Sequence, residues 1–262
     1  MIAICTDSSS QLAAADAAML GIDVVPAVIV LDGEEHDETE LDAEALYERL
    51  AAGARATTSQ PSPGRFAETY ERAAQRGAHA IVSIHLDARA SGTLASAELA
   101  AADARVPVTV VDAGTASYGV AVVAARAARL AAAGATAAEV AADAAGRGSR
   151  LENLFFAAGA ARGRVPSSGG ALLAFAGGAT EVVGSSGPAD VPRLIAERLA
   201  EAAPPLRVAV GHAARDVEPL ADELAARARA IGGAVDRYRV GPSVGAHTGP
   251  LAFGAFWWRA DD

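Results

Sequence analysis

The chain has 262 residues, enough to bury the core of one large domain or two moderate ones, and its formal net charge of −10 speaks against nucleic acid or an anionic membrane as the main partner, since both reward a basic face. Its 22 basic residues are all arginine, so a Walker-type phosphate lysine, a Schiff-base lysine and the strand lysine of protein kinases are excluded. The single cysteine, Cys5, rules out an internal disulfide and a cysteine-based zinc site, and fits a reducing compartment.

The opening "MIAICTDSSS" lacks the basic and long apolar regions of a signal peptide. "IAIC" reads as a short buried strand, with Cys5 a structural thiol inside it. "TDSSSQ" follows as a run of helix-capping side chains, with Asp7 or Ser8 as N-cap. "AAADAAMLG" is helical, "IDVVPAVIVLDG" one or two strands, and the acidic "EEHDETELDAEALYERLAAG" a loop and then a helix. "TTSQPSPGRFAETYERAAQRG" starts as a proline-stiffened loop and continues as a helix. "AHAIVSIHL" is a strand, "DARASGT" a loop, "LASAELAAADA" a helix and "VPVTVVDAG" a strand. The alanine-rich stretch 118–145 carries Arg126, Arg129, Glu139 and Asp143, so it reads as a helix or helix pair and not as a membrane span. The cytoplasm is the expected compartment.

Strand, loop and helix thus alternate to about residue 145, the pattern of a parallel sheet covered by helices. After residue 150 that regularity goes. "NLFFAAGAARG" reads as a strand into a loop, "ATEVVGSS" as a strand, and "ADVPRLIAERLAEA" and "DVEPLADELAARARAIG" as helices. "LRVAVGHA", "AVDRYRVG" and "LAFGAFWW" read as strands. The expectation is an α/β domain over residues 1–150 and a smaller α+β domain over 151–262, with segments free to cross between them.

In parallel α/β sheets ligands collect at the carboxyl ends of the strands, and the hydroxyl-rich segments "TDSSS", "TTSQPS", "RASGT" and "DAGTAS" all fall there. No GxGxxG follows the first strand, which removes support for a dinucleotide. "RASGTLASA" sets Ser91, Gly92 and Thr93 before a helix, where an anion would meet hydroxyls and free N–H groups, or where Ser91 or Thr93 would simply cap. The five histidines, His36, His79, His85, His212 and His247, show no metal-ligand spacing, and no metal or cofactor is expected. His85 reads as structural. His247 stands in "GPSVGAHTGP", which reads as a loop because its glycines and prolines break both helix and strand periodicity. A hydrolase or transferase using Ser91 and His247 is an alternative, although no GxSxG elbow is present.

Taken together, "TDSSSQL", "DVVPAVIVLDG", "TTSQPSPGRF", "SIHLDARASGTLASA", "VVDAGTASYG" and "GPSVGAHTGP" resemble the DegV family of bacterial fatty-acid-binding proteins, in its order and spacing and over nearly the whole chain. The resemblance implies a long-chain fatty acid in a tunnel between the two domains. It places the carboxylate on Thr58 and Ser91, with Gly92 and Thr93 beside Ser91 and His247 close by. It also implies a separate fatty acid kinase that receives the presented carboxylate and makes acyl-phosphate for phospholipid synthesis, the binding subunit itself being non-catalytic. The chain departs from the family pattern in "FFAAGAARGRVPSSGGALLAFAGG", where the family's lysines are missing and its turn arginine corresponds to Arg164 or to Arg162, at the head group or facing a partner. A lipid-free interaction protein of the same descent is the further alternative.

Overall fold

The computed structural model describes residues 1–158, 170–202 and 205–259. In chain order the strands are β1 (Ile2–Asp7), β2 (Ile22–Val25), β3 (Val28–Leu31), β4 (Glu34–Asp37), β5 (Ala56–Ser59), β6 (Ala80–His85) and β7 (Val108–Asp112), then β8 (Glu152–Ala158), β9 (Gly170–Ala176), β10 (Ala179–Ser186), β11 (Leu206–His212), β12 (Ala234–Arg239) and β13 (Phe253–Arg259). The helices are α1 (Ala14–Leu20), α2 (Ala43–Ala51), α3 (Pro63–Gln75), α4 (Thr93–Ala101), α5 (Tyr118–Ala132), α6 (Ala137–Ala144), α7 (Val191–Glu201), α8 (Glu218–Ala230) and α9 (Pro242–Thr248).

The first part of the chain builds a parallel sheet in the order β2-β1-β6-β7. β6 is buried along its whole length, so it reads as a continuous apolar run instead of an alternating one. Helices cover both faces. Phe66, Tyr70 and Ala73 of α3 pack with Ala97 and Ala100 of α4 on one side, and Val120, Val123 and Ala127 of α5 pack with Val140 and Ala144 of α6 on the other. Fully burying a Val or Phe side chain contributes about 1.5–3 kcal/mol, so these two layers account for much of the stability of this part.

The second part builds a mixed six-stranded sheet in the order β10-β9-β8-β13-β11-β12. β11 and β12 are parallel and the other pairs antiparallel. Its two faces differ because strand side chains alternate. Leu154, Phe156 and Leu172 point to the layer made by α7 and α8, with Ile195, Leu199 and Leu224. Asn153, Phe155, Ala157, Leu173 and Phe175 line the cavity on the opposite face. The α/β class and the second, α+β part are as the sequence leads one to expect.

Four segments depart from the sequence reading. The acidic start at residue 34 and the threonines at 57 and 58 were expected in loops, yet β4 and β5 pair with β3 in a separate antiparallel sheet. β9, within the stretch where the family pattern is lost, pairs along β8 and β10. "GPSVGAHTGP" is not a loop: its residues 242–248 form α9, with Pro242 in the first helical turn and Gly249 directly after the last. Proline inside the start and glycine past the end are the punctuation of a helix, because proline lacks an N–H that would be unpaired there and glycine tolerates the reversal. No helix among the described residues is long and apolar enough to cross a membrane.

Candidate functional site

A cavity of about 1140 Å³ lies between the sheets. That is at or above the upper end of ordinary small-molecule pockets, ~300–1,000 Å³. Its walls are mostly apolar, from Phe155, Leu173, Phe175 and Phe253 on the six-stranded sheet to Leu86 and Ala116 on the parallel side. Thr58, Ser91, Gly92, Thr93 and His247 all line it, so five expected site residues from three distant segments meet there.

Thr58 Oγ1 and His247 Nε2 lie 2.8 Å apart, Thr58 on β5 and His247 in the last turn of α9, exposed at the cavity rim. On the loop before α4, Ser91 Oγ is 2.9 Å from Thr93 Oγ1 and accepts the Thr93 N–H at 3.3 Å. Ser91 and Thr93 were candidates for the α4 N-cap. The N-cap is instead Gly92, without a side-chain cap. Gln60 closes over it: a Cβ on Gly92 would stand 2.6 Å from Gln60 Oε1, and Gln60 also reaches Ser96 at 3.5 Å. His247 pairs with Thr58 here, and Ser91 with Thr93, so the bond a Ser91–His247 nucleophile would need is not the one formed.

Among the described lining residues, Asp7 and Arg89 carry formal charge, and each is already occupied. Asp7 caps the turn Ser8–Ser10 by accepting the Ser9 N–H, and its other oxygen meets buried His85 Nδ1 at 2.7 Å. His85 Nε2 continues to Ser83 Oγ at 2.7 Å, which accepts from Tyr70 OH at 2.9 Å. These residues resemble a catalytic triad by composition, yet Ser83 and His85 are fully buried and neither lines the cavity, so the chain of bonds is structural. Arg89 is held bidentately by Asp87, whose carboxyl the guanidinium keeps below the usual carboxylate range. Among the described residues, the other polar groups in the walls are hydroxyls, amides and the His247 imidazole.

The sequence reading missed the residues that fix α9. Glu38 is buried, takes a hydrogen bond from Ser8 Oγ, and accepts the Ser243 N–H at 2.8 Å. Burial raises its pKa above the ordinary carboxylate value, more than its hydrogen bonds lower it. Gln11 accepts the Gly241 N–H, and Tyr47 OH donates to Val240 O at 2.6 Å. Glu38 was hidden by its acidic neighbours, since such a run reads as a solvated face. Arg162 and Arg164 lie outside the described residues. Among those described, no group of three His, Cys, Asp or Glu is placed to hold a metal ion.

A family model described as an uncharacterised protein of the DegV family matches residues 1–159. A DegV domain-containing protein of Streptomyces coelicolor is 36% identical over 276 residues, covering 97% of this chain and 96% of its own. Among solved structures, one described as the fatty acid binding of a DegV family protein from Thermus thermophilus is 29% identical, covers 98% of this chain and 99% of its own, and superposes with a TM-score of 0.85. A Thermotoga maritima protein, described as revealing a fatty acid binding function, is 26% identical with 98% of each chain covered and a TM-score of 0.86.

Proposed function

The chain belongs to the DegV family, and from that membership we propose that it binds a long-chain fatty acid in the cavity between its sheets. Thr58, Ser91 and Thr93 receive the carboxylate, with Gly92 giving backbone access and His247 standing at the rim. The observation that carries this reading is the convergence of those residues on one large apolar cavity whose formal charges are already paired. A fatty acid needs only that. Its methylenes each contribute about 0.8 kcal/mol on leaving water. Neutral donors satisfy its head without burying a second charge that would have to be desolvated.

The protein acts without catalysis of its own and presents the bound carboxylate to a separate kinase. The absence of lysine supports this division of labour, since the chain lacks the residue that most phosphate-binding loops use. The Thr58–His247 and Ser91–Thr93 pairings favour binding over a Ser91 nucleophile. Arg162 or Arg164 is the proposed contact to the head group or to the kinase. Organic extraction of the purified protein followed by gas chromatography tests the reading. About one fatty acid per chain is expected, and an extract free of fatty acid, from protein that also fails to take one up, contradicts it.

A further inference from the structure

The cavity is walled on one side by the β9–β10 hairpin, whose outer half extends past the backbone ladder that joins β9 to β8. Its cavity-facing cross-strand pairs are Leu173 with Val182 and Phe175 with Thr180. The β8–β9 backbone pairing ends at Phe155 and Leu173. Beyond it, Phe175 is held by one side chain: Asn153 Nδ2 donates to Phe175 O at 2.9 Å and Asn153 Oδ1 accepts the Phe175 N–H at 2.8 Å. On the other strand a bulge falls between Val182 and Gly184, and β10 is the sheet edge. Ladder end and bulge lie at the same level, and a bulge bends its strand there.

The tip rests on the opposite part of the molecule. Gly177 and Gly178 form its two-residue connection with φ of +58° and +79°, the backbone that a tight hairpin turn requires. A Cβ on Gly178 would stand 2.5 Å from Arg89 Cβ and 2.9 Å from Asp87 Oδ1, so the turn is pressed against this pair. Asp87 is buried, its N–H donates to Thr115 O at 2.8 Å, and it holds Arg89 through Nε at 3.0 Å and a terminal nitrogen at 2.6 Å. Arg89 lies two residues before Ser91. The seat of the hairpin and the proposed head-group loop are therefore neighbours in one short segment.

We propose that Arg89, fixed by Asp87, is the positioning residue on which the Gly177–Gly178 turn closes the cavity, and that this contact sets how long a bound fatty acid stays. The ligand class rests on the function proposed above; the contact itself does not. The test uses the full chain carrying Gly178→Ala, whose methyl group has no room against Arg89 and Asp87 and so lifts the turn from its seat, and, separately, Arg89→Ala and Arg89→Lys. The protein is loaded with a fluorescent long-chain fatty acid, and release into phosphatidylcholine vesicles is timed.

Gly178→Ala is expected to release the fatty acid roughly tenfold faster than the unmodified chain, since the loss of a contact is read mainly in the dissociation rate. Arg89→Ala is expected to release faster than the unmodified chain and Arg89→Lys to fall between. Release from Gly178→Ala and Arg89→Ala at the rate of the unmodified chain overturns the proposal. If the unmodified chain takes up no fatty acid, the proposed function fails, and the contact is then read from amide hydrogen exchange at residues 175–180, which speeds up in both variants if the turn rests on Arg89 and is unchanged if it does not.

Discussion

Thr58 and Ser91 are proposed as uncharged donors to the head group, beside Asp7 and Arg89 that are already paired, so each should carry a measurable share of head-group affinity. Thr58→Ala and Ser91→Ala are each expected to weaken fatty acid binding by about 1–3 kcal/mol, the cost of leaving a buried charged acceptor short of a donor. Calorimetric titration of delipidated protein reads this directly, and unchanged affinity in both variants removes these residues from the site. Glu38 makes a second prediction. Its pKa is raised on folding by burial, so the folded chain holds that proton more tightly than the unfolded chain. The associated stability is complete below the unfolded value and is lost as pH rises through the folded one. Melting temperatures from the carboxylate range toward neutrality should therefore fall more steeply for the unmodified chain than for Glu38→Gln, which has no proton to lose. Parallel curves would contradict it. Thr58, Ser91 and His247 were singled out through the family resemblance, and the structure brings all three to one cavity. Glu38 was not, because nothing local distinguishes a buried carboxylate from its solvated neighbours in an acidic run.

At the scale of elements, α9 carries His247 to Thr58, and its place depends on a glycine. Gly245 lies against the Tyr47 ring and hydroxyl, with no room for a methyl group. Gly245→Ala is expected to cost about 1–3 kcal/mol of stability by overpacking, and to weaken fatty acid binding by moving His247 away from Thr58. Denaturant melts and ligand titration on the same sample check both; a variant as stable as the unmodified chain contradicts the packing account. α9 was misread because its seven residues are too few for helical periodicity to show through three glycines and two prolines in "GPSVGAHTGP". The information was present in the order of Pro242 and Gly249. β5 was misread for a different reason: its alternating half-buried pattern arises from pairing with β3, a contact that spacing along the chain does not reveal. β1, β6 and β7 were legible because each is a short, mainly apolar and β-branched stretch bounded by capping or turn residues.

For the whole molecule, a division near residue 150 is a proposal about the sheets and not about independent folding. β1 to β7 precede it and β8 to β13 follow it, yet Ala209 and Phe256 pack in the same buried cluster as Val120, Val123 and Val140. Tyr118 stacks on Tyr238 with ring centroids 4.2 Å apart. α9 meanwhile packs on β5 and α2. A fragment of residues 1–150 is therefore expected to lack a cooperative thermal transition, because it exposes one face of its own core. A sharp, reversible melt of that fragment would contradict the shared core. Alternation of strand and helix made the first part readable as a parallel sheet; no property of the sequence shows that residues near the C-terminus complete its core. The cavity follows from the same interleaving, since its polar residues come from β5, the loop before α4, and α9. The most direct measurement is a crystal structure of the protein loaded with a long-chain fatty acid. The account predicts the carboxylate within hydrogen-bond reach of Thr58 Oγ1 and Ser91 Oγ and the tail running along Phe155 and Phe175. A ligand bound outside the cavity, or one whose head lies away from both hydroxyls, would contradict it.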